Sequence, residues 1–163
     1  MKITVPRDEN GLLPDQFGKF AQGGPENAVS FPIEVKGIPA GTQSLAITLI
    51  DYDAVPVSGF PWIHWLAANL PLGNIPENLD HSNVVYSKGT NSLYSVYKSD
   101  NPELTRKYVG PRPPDKIHYY ELTVFAVDTK LDLQDGFFLN EFRNQINNHI
   151  LDAATVNLPY RSE

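Results

Sequence analysis

GPRPPDKIHYYELTVFAVD, residues 110–128, sets the fold class. Its opening holds Gly110, Pro111, Pro113 and Pro114, a turn composition that leaves no room for a helix. From His118 onward β-branched and aromatic residues dominate, and His118, Tyr120, Leu122, Val124 and Ala126 fall on one face of an extended chain. This pattern predicts a strand over 118–128 that lays one row of side chains on a core. Two upstream segments read the same way. SLAITLI, residues 44–50, runs into DYDAVP, and WIHWLAANL, residues 62–70, is closed by Pro71. On the first, Leu45, Ile47 and Leu49 share a face, with Asp51 and Asp53 just past its end; on the second, Trp62 and His64 share a face continued by Leu66 and Ala68.

Elsewhere the first forty residues are broken by Pro6, Pro14, Pro25, Pro32 and Pro39 and by several glycines, so only short strands and turns fit. The segment from Asn83 to Tyr97 alternates weakly and reads as one or two edge strands, with Gly89 and Asn91 offering a hairpin turn. One helix is expected, from Phe138 to Ile150, because Phe138, Phe142, Ile146 and Ile150 recur every fourth residue as an apolar stripe. That stripe is expected to cover a sheet. The 163 residues therefore predict a single, mainly β domain, 1–163, of sandwich or Greek-key type with a C-terminal helix.

Composition excludes several functions. There is no cysteine, which removes disulfides, thiol nucleophiles and cysteine-held metals and fits a reducing cytoplasmic setting. The net charge of −6, with no basic run, opposes nucleic acid and anionic membranes. No stretch approaches the ~20 apolar residues of a membrane span, and the first residues lack the apolar core of a signal peptide. No motif asks for a cofactor.

If the three main strands are neighbours, strand parity gathers Asp51, Asp53, His64, His118 and Tyr120 around one cleft, walled by Trp62 and by Gly110, Pro111, Pro113 and Pro114. Residue by residue, blander readings stay open. Asp-x-Asp after a strand also caps turn amides, a strand histidine also packs in a core, and the tyrosines also serve as sheet aromatics. His81 reads as a solvated loop residue, and His149 as a residue favoured by the helix end or packed there.

The order DYDAVP, WIHWLAANLP, GPRPPDKIHYY resembles the phosphatidylethanolamine-binding protein family, in its bacterial and archaeal, Raf-kinase-inhibitor-like branch. The family pattern is DPDAP, a histidine–tryptophan strand, and GPxPPxGxHRY, and the likeness runs from about Pro25 to Tyr160. The resemblance implies a phosphate-like anion pocket without a required metal. It assigns ligand contact to Asp51, Asp53, Trp62, His64, Gly110, Pro111, Pro113, Pro114, His118 and Tyr120, and gives none of them a catalytic role. Four residues depart from the pattern. Tyr52 and Val55 alter the first motif, Lys116 replaces a glycine and Tyr119 an arginine, while Arg112 adds positive charge near the expected mouth.

The expected function is binding of a small phosphorylated or anionic ligand, with two charged imidazoles and a phenol as donors and Asp51 orienting a histidine. Binding should then weaken as pH rises through the histidine titration. By the resemblance, the pocket could also receive a phosphorylated protein partner in a regulatory or kinase-inhibitor-like module, and a homodimer fits the bacterial branch. An alternative stays open: a hydrolase or metal-dependent enzyme using the same Asp/His cluster. No serine or threonine is placed beside that cluster by any pattern.

Overall fold

In the computed structural model, which describes residues 1–97 and 101–163, the three predicted strands form the centre of an antiparallel sheet. They are β3 (Ser44–Asp51), β4 (Trp62–Leu70) and β6 (His118–Val127). The sheet order is β5-β4-β3-β6-β7, where β5 is Ser87–Lys88 and β7 is Ile150–Tyr160. A second, two-stranded sheet pairs β1 (Lys2–Thr4) with β2 (Glu34–Lys36).

β3 is buried along its whole length, because both sheet faces are covered. One face packs Leu45, Ile47, Leu49, Leu122, Val124 and Trp65 against the small sheet and the N-terminal loops, including Phe17, Phe31 and Ile33. The other packs Ala46, Leu66 and Ala68 against Phe142 and Ile146 of the late helix, α4 (Leu139–Ile146). Among the described residues, short α-helices also lie in the connections: α1 (Val55–Ser58), α2 (Leu93–Tyr97) and α3 (Pro102–Thr105).

Several expectations need correction. On β4, Leu49 pairs with Trp65 while the next residue, Ile50, pairs with Ile63. His64 is the extra residue of a bulge. The bulge turns His64 and Trp65 toward the same face, so Leu66 and Ala68 lie on the opposite face from His64. The parity row on β6 holds from His118 to Ala126.

The helix is shorter than its stripe. It stops at Ile146; Asn147 closes it, and Asn148 takes a left-handed φ of 66°, a conformation asparagine tolerates. Ile150 starts β7, an eleven-residue strand whose edge position and mixed composition gave no clear alternation. The outer edge of β7 is held by the N-terminal segment: Leu13 N–H donates to the Pro159 carbonyl, Arg7 to that of Asn157, and the Met1 amino group pairs with Asp152.

Between Asn83 and Tyr97 only Ser87–Lys88 is strand, and α2 follows. Asn91 makes no hairpin. It is buried, and its amide donates to the carbonyls of Leu104 and Lys107, tying down the loop that leads to residue 108.

Candidate functional site

Strand β3 delivers Asp51 at its end, directly paired with Trp62 on β4 and Tyr120 on β6. This register, together with the β4 bulge, brings Asp51, Trp62, His64, His118 and Tyr120 to one cavity of about 230 Å3. Its other walls are Ala54, Val57 and Ser58 from the α1 turn, Leu93 from α2, and Val109, Arg112 and Pro114 from the loop before β6. The volume lies below the range of drug-sized ligand pockets, so it suits a small ligand.

His118 is enclosed, only 1% exposed. Its Nδ1 lies 2.7 Å from Asp51 Oδ2, and its Nε2 lies 2.9 Å from Oδ1 of Asp115, an exposed residue of the preceding loop. Burial, the largest single influence, pulls its pKa down, but hydrogen bonds and charge from the two carboxylates outweigh that and raise it above the ordinary value. Asp115 in turn is held below its usual range, first by the hydrogen bond to His118. Asp51 is steadied by a second contact, accepting the Ala54 amide at 3.1 Å.

His64 behaves in the opposite way. Burial, only partly offset by the Val109 carbonyl and Asp51, lowers its pKa to about 4, so the ring is neutral at physiological pH. Its Nδ1 lies 2.8 Å from the Val109 carbonyl, an acceptor only, so Nδ1 carries the proton and Nε2 is an acceptor. The expectation of two charged imidazoles is therefore corrected to one. His64 stacks edge-on against Tyr120 at 4.9 Å. The Tyr120 hydroxyl is buried near Asp51 and makes no well-aligned hydrogen bond with a described residue, and burial followed by the Asp51 charge pushes its pKa well up.

Arg112 is exposed at the mouth, and its guanidinium makes no hydrogen bond or ion pair with a described residue. Trp62 stacks on Phe60 with centroids 5.9 Å apart and presents a flat apolar wall. Ser58, which no sequence pattern had placed here, has its hydroxyl within 3.0 Å of the Ala54 and 2.9 Å of the Phe60 carbonyls, so it is committed to the turn.

Four expected contact residues stand behind the cavity rather than on it. Asp53 accepts the Tyr119 amide at 2.9 Å and ties the α1 turn to β6, the bland reading of an Asp-x-Asp. Gly110 packs so closely that an added Cβ would lie 2.7 Å from the Phe17 carbonyl and 2.8 Å from Gly18. Pro111 accepts the Lys19 amide through its carbonyl, and Pro113 is buried. These residues anchor the loop that carries Arg112 and Pro114. Lys116 is exposed and lines no part of the cavity. Of the remaining histidines, His81 bonds Asn78 and His149 bonds Asp128, both away from the site. Among the described residues no group of histidine and carboxylate side chains has the arrangement of a metal site, and no helix is long and apolar enough to cross a membrane.

Comparison with known proteins agrees with this architecture. The model of the family described as phosphatidylethanolamine-binding protein matches residues 5–161. The uncharacterized protein YxkA of Bacillus subtilis is 43% identical, over 97% of this chain and 98% of its own. A UPF0098 protein of Methanothermobacter thermautotrophicus is 31% identical, over 94% and 93%. Two crystal structures superpose on nearly the whole chain. A homologue of phosphatidylethanolamine-binding protein from Chlamydia trachomatis gives a TM-score of 0.79 with 22% identity, covering 99% of this chain and 97% of its own. YbcL of Escherichia coli, described as a member of the mammalian PEBP family, gives 0.77 with 22% identity, covering 99% and 98%.

Proposed function

Because the chain belongs to the phosphatidylethanolamine-binding protein family, we propose that the cavity between β4 and β6 binds one small ligand bearing a phosphoryl group. The observation that carries the reading is the His118 imidazole, whose protonated form Asp51 and Asp115 favour and which already seats an anionic oxygen, Asp115 Oδ1, at 2.9 Å on its outer nitrogen. Asp115 is about half exposed, so a ligand oxygen can displace it without unfolding the strand behind. Arg112 adds an uncommitted guanidinium, and charge-assisted hydrogen bonds from such groups are worth about 1.5–3 kcal/mol each. The Tyr120 hydroxyl is the kind of buried group that a ligand oxygen satisfies.

The rest of the ligand meets a different surface. Val57, Leu93, Pro114 and Trp62 form an apolar wall, and the indole face can hold an alkylammonium through its π system. That pairing favours a zwitterion such as phosphoethanolamine over free phosphate, and suits an acidic chain that repels polyanions. Whether the phosphoryl monoester is free in solution or carried by a phosphorylated partner, the contacts at His118 and Arg112 are the same.

Calorimetric titration of O-phosphoethanolamine into the wild type and Arg112→Ala tests the proposal. Arg112 is exposed, so the variant keeps its fold. One binding site that weakens tenfold or more in the variant is the expected result; absence of binding to the wild type would sink the proposal.

A further inference from the structure

The cavity pairs donors with an acceptor that a fully deprotonated oxyanion cannot use. Arg112 is an uncommitted donor at the mouth, and the outer nitrogen of His118 donates to Asp115, whose place a ligand oxygen would take. His64 does the reverse. Its Nδ1–H is fixed on the Val109 carbonyl at 2.8 Å, so the nitrogen it leaves to the cavity, Nε2, carries a lone pair and has no partner among the described residues. Asp51, on the same wall, is a second acceptor with spare lone pairs beyond its bonds to His118 and Ala54. His64 itself is 5% exposed, so an unsatisfied acceptor there is costly once a ligand has displaced water.

We infer that the site is specific for the singly protonated form of a phosphoryl or phosphonyl group, whose P–OH donates to His64 Nε2 while its other oxygens accept from His118 and Arg112. This inference rests on the phosphoryl-binding reading above and adds the protonation state of the ligand to it. Sulfate and sulfonates, which carry no proton at neutral pH, present only acceptors and leave His64 facing a lone pair.

Other titratable and charged groups around His64 support the same assignment. Asp51 from the end of β3, His118 and Tyr120 from β6 and Arg112 from the preceding loop face it. Asp51 opposes a further negative charge in the cavity. Protonation of His64 would turn Nε2 into a donor, but burial, reinforced by the positive charge of His118 and Arg112, opposes that step, and the ligand is the easier place for the proton.

The decisive comparison uses methylphosphonate against methanesulfonate at pH 5.5 on the wild-type protein. The two are nearly isosteric and both singly charged there, and they differ in one O–H. A site that pairs a ligand hydroxyl rejects the analogue lacking it strongly, so methylphosphonate is expected to bind at least tenfold more tightly. The 31P shift of bound methylphosphonate, followed with pH, should show that the bound ligand keeps its proton to higher pH than the free one. Equal affinities for the two anions, or a bound ligand that loses its proton earlier, would overturn the inference while leaving anion binding intact. Binding of neither would overturn the phosphoryl-binding proposal itself.

Discussion

His64 on β4 and His118 on β6 flank the end of β3, yet their environments drive their protons apart. His64 gives its one N–H to a carbonyl in a buried setting, whereas His118 lies between two carboxylates. The linkage signs follow. Between its ordinary 6.5 and its folded value of about 4, His64 binds a proton in the unfolded chain and none in the folded one. Stability from this residue therefore falls as pH drops through that window, by about 3 kcal/mol in all. His118 acts the other way: its contribution is complete below the ordinary value and is lost as pH rises through the raised folded value. Two-dimensional NMR of the imidazoles should show His64 neutral at pH 6 and His118 charged; a His64 ring that titrates near 6.5 contradicts the account. At the same scale, Asp115→Asn removes the carboxylate that competes for His118 Nε2. At pH 5.5, where Asp51 still keeps His118 charged, phosphoethanolamine affinity should rise by up to about fivefold, the worth of an exposed pair. A fall in affinity would show that Asp115 belongs to the bound site.

At the scale of elements, the passage from α4 to β7 shows where sequence patterning failed. A four-residue stripe continued to Ile150, but two asparagines end the helix at Ile146, and Asn148 adopts a left-handed turn. Asn148→Ala is expected to cost about 1 kcal/mol in chemical denaturation, because alanine adopts that turn less readily. Phe142, 2% exposed between α4 and the sheet, should cost about 3–5 kcal/mol as Phe142→Ala while leaving ligand affinity unchanged, since it packs on the face away from the cavity. β7 was illegible because each edge-strand residue contacts little, and its composition, with Asp152, Asn157 and Pro159, opposes a strand until β6 supplies the ladder. By contrast β3, β4 and β6 announce themselves, since central strands must be apolar. The β4 bulge could not be read from the chain, as it is a property of pairing between strands.

For the whole molecule, the site was legible as a list of residues before it was legible as chemistry. Motif order brought Asp51, Trp62, His64, Pro114, His118 and Tyr120 together, and all six line the cavity. Asp53, Gly110, Pro111 and Pro113 shape it from behind, because a turn of this kind needs residues that fix backbone as well as residues that face outward. Arg112 was visible only as a charge near a loop, and Asp115 gave no signal, since its role depends on a side chain folding back three residues onto His118. The net charge of −6 fits the proposal of one local site for a small phosphoryl group on an acidic body that repels extended polyanions.

The central claim, a phosphoryl-binding cavity governed by a charged His118 and a neutral His64, is tested most directly by titrating O-phosphoethanolamine into the protein by calorimetry at pH 5.5 and at pH 8. A phosphomonoester has its second pKa near 6, so the lower pH supplies the singly protonated ligand and keeps His118 charged. One site, bound at least several-fold more tightly at pH 5.5, is expected. Equal affinities at the two pH values, or tighter binding at pH 8, would contradict that claim.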